Sequence, residues 1–96
     1  MGNSVMDYES EEIKRKILIK LNKMHKWGDT HTTDIRHLSK GMPISVTASK
    51  QWQKALDKAI KELNNDGWLL TKKSVGSLHV YLSPRYSKEI LEFIAA

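Results

Sequence analysis

Lysine spacing carries the chemistry of this sequence. Lys50, Lys54, Lys58 and Lys61 recur at intervals of four, four and three within SKQWQKALDKAIKELNNDGW, and at about 100° per residue that spacing gathers them on one side of a helix. Two more, Lys72 and Lys73, fall in LLTKKSVGSLHVYL, where apolar alternation on either side of Gly76 predicts a basic hairpin. A row of lysines neutralises phosphates, so the pattern points to a polyanion as partner.

Neighbouring residues extend the candidate surface. Ser49 and Gln51 stand at the helix start, where free backbone N–H groups also favour a phosphate. Gln51 and Gln53 are amides of the type that pairs with adenine, with Gln53 nearer the helix flank. The lysines suit phosphate positioning better than base reading, so modest sequence specificity is expected. Arg36, with His37, is placed to flank a phosphate. The candidate nucleic-acid contacts are therefore Ser49, Lys50, Gln51, Lys54, Lys58, Lys61, Lys72, Lys73 and Arg36. The plain alternative is that lysines opposite an apolar stripe form only its solvated side.

Other chemistries find less support. His25, His31 and His37 with Asp29 and Asp34 are the types that hold zinc, yet their spacings match no two-ligand arrangement on one helical face. No metal and no cofactor is expected. A glycine-rich phosphate loop and a G-x-S-x-G elbow are both absent from the sequence, and no Ser, His and Asp set is brought together by spacing, so the chain is read as a non-enzyme without a small-molecule substrate. Trp52 and Trp68 each fall in register with apolar residues and are expected in the core. Trp27 and Tyr8, near the ends of the first helix, are expected as surface groups or a pairing contact.

Composition agrees with a small binding domain. The 96 residues suffice for one core, and 40% hydrophobic with 28% charged residues is ordinary globular usage. Four of the 11 acidic residues and none of the 16 basic ones lie in the first twelve positions, which leaves a balance of +9 on the rest. That asymmetry favours an anionic partner. Cysteine is absent, and no apolar run approaches the ~18 residues of a membrane span. The opening MGNSVMDYESEE lacks a signal-peptide pattern, so cytoplasmic residence away from membranes is expected.

The elements that must position these lysines can be read in turn. Residues 1–9 form a loose tail, and 10–96 a single domain. Ser10 caps a helix over 11–26, with Ile13, Ile17, Leu21 and Met24 on one face, Leu18 widening the stripe, and Gly28 as the stop. Thr32 or Thr33 caps a short helix over 33–40 that buries Ile35 and Leu38 and stops at Gly41. Ile44–Val46 is a candidate minor third strand. A third helix over 49–65 buries Trp52, Leu56, Ala59 and Leu63, with Ala55 and Ile60 at the borders, and ends at Asn64-Asn65-Asp66-Gly67. In the hairpin, Trp68, Leu70, Leu78, Val80 and Leu82 are expected inward, and Leu69, Thr71, His79 and Tyr81 outward. Ser83-Pro84 opens a last helix carrying Tyr86, Ile90, Phe93 and Ile94.

This order resembles the winged-helix variant of the helix-turn-helix family. The resemblance covers residues 10–95 and rests on the passage from the capped third helix through NNDGWL into a basic hairpin. It implies an α+β, mostly helical fold with a three-helix core, a two-stranded wing and a C-terminal helix. It further implies that residues 49–65 are the recognition helix, Lys72–Ser77 the wing tip and 33–40 the supporting helix. The expected role is binding double-stranded DNA in transcription regulation or as a replication or recombination accessory. A protein-interaction winged helix with an incidental basic face is the alternative. The connection over 41–48 is longer than in the simplest members, which leaves the angle of the third helix open. Small regulators of the family commonly form homodimers through their terminal helices, and Leu18, Trp27, Leu91 and Phe93 supply the apolar surface for that.

Overall fold

The computed structural model describes residues 10–39 and 50–96. Among them, three α-helices and a three-stranded antiparallel sheet make a mostly helical α+β domain. Helix α1 (Ser10–Lys23) has Glu11 and Glu12 in its first turn and Lys20 and Lys23 in its last, charges that oppose the helix dipole at both ends. Its stripe of Ile13, Ile17, Leu18 and Leu21 is buried.

The helix stops three residues before the expected end. His25 adopts the left-handed region at φ 57°, and the helix closes with His25 N–H to the Asn22 carbonyl and Lys26 N–H to the Leu21 carbonyl, both 3.0 Å. This is a Schellman end with histidine in the position usually held by glycine. Gly28, the predicted stop, serves the next turn instead. Its N–H bonds the Leu82 carbonyl at 3.0 Å, and Leu82 N–H bonds the Lys26 carbonyl at 2.8 Å. Trp27 makes a parallel backbone bridge to Leu82, and its indole, half-buried against the core, donates to Asn22 Oδ1 at 3.1 Å.

Thr33 does not cap a helix. With Asp34 it forms strand β1 (Thr33–Asp34), paired to strand β3 (Ser77–Leu82) as Thr33↔Val80 and Asp34↔His79. The cap falls to Asp34, whose Oδ1 accepts the Arg36 N–H at 2.8 Å and opens a 3-10 helix over Ile35–Ser39. The predicted helix over 33–40 is thus replaced by a strand and a tighter turn, since β-branched Thr33 is buried beside the central strand. The candidate strand Ile44–Val46 lies outside the described residues. Among the described ones the third strand is β1, in sheet order β1-β3-β2, with β2 spanning Leu69–Ser74.

Helix α2 (Lys50–Asn65) follows its reading closely: Trp52, Leu56, Ala59 and Leu63 are buried, and Ala55 and Ile60 are half-buried at the borders. Gly67 N–H bonds the Asn64 carbonyl at 3.0 Å and Trp68 N–H the Leu63 carbonyl at 3.1 Å, a second Schellman end with Gly67 at φ 80°. A Cβ there would stand 3.2 Å from Tyr86 Cε2. Gly67→Ala is therefore expected to destabilise the domain by ~1–2 kcal/mol, the cost of a left-handed L-residue, read as a lower urea midpoint at unchanged slope.

The hairpin corrects one register. Val75 and Gly76 form a two-residue loop that sets Ser74 opposite Ser77, so pairing steps back through Thr71↔Val80 to Leu69↔Leu82. Leu69 is therefore the inward residue, at 0% exposure, and Leu70 pairs with Tyr81 on the other face. Val80 and Leu82 are buried as expected. Trp68 precedes the strand and packs edge-on against Phe93, ring centroids 5.7 Å apart.

Ser83 and Pro84 open a 3-10 turn (Pro84–Tyr86) that leads into helix α3 (Ser87–Ala95). Ile90 enters the core, and Tyr86, Phe93 and Ile94 pack around it. Arg15 of α1 lies 4.9 Å over the Phe93 ring and donates to the Phe93 carbonyl at the end of α3. Leu18, expected as spare apolar surface, is 0% exposed and belongs to the core, so it offers no surface to a second copy. No described helix is long and apolar enough to cross a membrane.

Candidate nucleic-acid interface

Helix α2 is amphipathic because its apolar residues recur every three or four positions, and seating that stripe in the core turns the opposite side to solvent. Lys50, Lys54, Lys58 and Lys61 are all exposed, and helical geometry places them within an arc of about 80° centred opposite the buried stripe. None of the four forms an ion pair with another described residue. Their charges are directed outward together.

The two glutamines do not act together. Gln51 and Gln53 are both exposed, but they stand about 160° apart around the helix, on opposite flanks of the lysine strip. Gln53 lies with Arg36, Asp57, Ile35, Leu56 and Ile60 along a groove of about 260 Å³ between the 3-10 helix and α2. On the other flank, Glu62 is held by Lys14 of α1 at 2.6 Å. Ser49 lies outside the described residues.

Arg36 is exposed and heavily engaged by its neighbour. Its Nε donates to Asp34 Oδ1 at 3.0 Å and its Nη2 to Oδ2 at 2.7 Å, a two-pronged pair with the guanidinium side chain 79% exposed. Hydrogen bonding from the Arg36 side chain and then its backbone N–H holds the Asp34 carboxyl well below the usual carboxylate range. Asp34 in turn raises the Arg36 pKa through the same bond. A guanidinium compensated in this way attracts a phosphate less than a bare one.

Because Asp34 is depressed, the pair contributes stability above the unfolded carboxylate pKa of ~3.9 and loses it as pH falls below that value. Asp34→Asn keeps a capping oxygen but removes the charge. The melting temperatures of parent and variant are expected to differ at pH 6 and to converge as pH falls below ~4.

The hairpin lysines separate. Strand alternation puts Lys73 on the face of Leu69 and Thr71, the one packed on the helices, and Lys72 on the opposite face with His79, its cross-strand partner. Lys72 Nζ donates to the Asp29 carbonyl at 3.3 Å and so braces the turn after α1. The two do not form one cationic tip, although each is exposed.

Histidine contacts were not legible from spacing. His79 Nδ1 lies 3.1 Å from Thr32 Oγ1, a contact that ties the start of β1 to β3, and His37 Nδ1 lies 2.9 Å from Thr33 Oγ1, a contact that ties the 3-10 helix back to β1. Among the described residues no three His, Asp or Glu side chains gather as a metal site. Asp34 followed two residues later by Arg36 has the spacing of a side chain that bonds the backbone two residues on, the local signal for this turn. Comparison of the chain with protein-family models, with curated proteins and with solved structures finds no match.

Proposed function

We propose that this chain is a winged-helix module that binds duplex DNA through the outward face of α2, with the β2–β3 hairpin as its wing. The observation that carries the reading is the strip of Lys50, Lys54, Lys58 and Lys61, exposed and without acidic partners among the described residues. The element order supports it: a long helix, a short 3-10 helix, a longer helix, a hairpin and a closing helix. Lys72 acts first as a brace. Such a module suits transcription regulation or an accessory role in replication or recombination.

The test is a fluorescence-anisotropy titration of the full chain onto a mixed-sequence duplex across a range of salt. Four phosphate contacts give a log–log slope of about −3.6. Absence of binding at low salt would contradict the reading and return the lysines to a solvating role.

A further inference from the structure

The arrangement of charge around α2 says how that helix meets its ligand. From the proposed DNA-binding reading, on which this inference rests, we infer that α2 lies along a single sugar–phosphate strand rather than inserting into the major groove, and therefore binds without reading sequence.

The cations form a narrow strip. Lys50, Lys54, Lys58 and Lys61 are exposed and successive ones are ~4.5–6 Å apart along the axis, spanning ~16 Å. The strip has acidic borders. Asp57 lies on the groove side with Arg36, and Glu62 lies on the side of α1, where Lys14 holds it.

An α-helix ~10–12 Å across nearly fills a major groove ~12 Å wide, so its crest meets the base edges and its two flanks meet the phosphate rims. In that pose α2 would direct four ammonium groups at the bases and bring Asp57 towards one row of phosphates, a like-charge arrangement on that side, with the Lys14–Glu62 pair towards the other. Gln51 and Gln53, the amides suited to base reading, would face the rims rather than the floor.

Laid along one strand, the same helix gives the opposite result. Each strand carries one charge per ~3.4 Å of axis, so the ammonium row runs beside a continuous row of phosphates while Asp57 and Glu62 stand about 60° and 80° to its sides. Charge complementarity then needs one strand, with no groove and no particular bases.

Three fluorescent probes distinguish the poses: a mixed-sequence duplex, the same duplex with 7-deazapurines, which lack the major-groove N7 acceptor, and one strand of it alone. The expected result is binding to all three, the deaza duplex within about twofold of its parent and the single strand within about fivefold, with a somewhat shallower salt slope. A tenfold or greater loss on the deaza duplex or on the single strand would overturn the inference and put α2 in the groove, with the binding reading intact. Failure to bind any probe at low salt would overturn both.

Discussion

Leu63→Ala is expected to lower the stability of the domain by ~2–5 kcal/mol, the range for truncating a buried leucine. Leu63 is 1% exposed and does two things at once. Its side chain completes the buried stripe of α2, and its carbonyl accepts the Trp68 N–H that ends the helix. The Schellman end is commonly sealed by an apolar contact between these same two positions, so the truncation opens a cavity where helix, turn and sheet meet. Chemical denaturation should show a lower midpoint at unchanged slope. A cost below about 0.5 kcal/mol, the size of an ordinary surface change, would mean that α2 faces the core with a different side.

Replacing Lys50, Lys54, Lys58 and Lys61 together with glutamine is expected to weaken binding to a mixed-sequence duplex about a hundredfold at moderate salt, since each phosphate contact contributes ~0.9 to the log–log slope. The fold should be indifferent to the change. All four side chains are exposed, and surface substitutions of this kind usually fall within ~0.5 kcal/mol each. The loss should also be similar across sequences, as expected of contacts to phosphate rather than to base edges.

Helical periodicity was the most legible feature of the chain. The stripe of Trp52, Leu56, Ala59 and Leu63 and its half-buried borders at Ala55 and Ile60 could be read directly, because one spacing rule decides both burial and exposure. The exposure of the four lysines followed from the same rule. The Gly67 stop was legible too, because glycine enters the left-handed region without steric cost.

What was not legible depended on partners distant in sequence. Thr33-Asp34 carries a capping signature, and only pairing with Val80 and His79 makes it a strand. His25 ends α1 in a conformation that favours glycine, so Gly28 was the stronger local signal. The hairpin shows how little separates two readings. A two-residue loop at Val75-Gly76 fixes the register, and a shift of one position exchanges Leu69 with Leu70 across the sheet. The same alternation separates Lys72 from Lys73, which adjacency in sequence had placed together.

The candidate interface was legible in residue type and less so in arrangement. Gln51 and Gln53 were alike in type, and the helix sends them to opposite flanks. Arg36 looked like a free cation, and Asp34 engages it through two hydrogen bonds. The long α2 strip is the part of the proposal that sequence and geometry support together.

The most direct measurement is the dependence of duplex affinity on salt for the parent chain and for the variant with glutamine at 50, 54, 58 and 61. If the strip meets phosphates, the parent slope should be about −3.6 or steeper and the variant shallower by about that amount. Two superimposable lines, or no binding by the parent at low salt, would contradict the account.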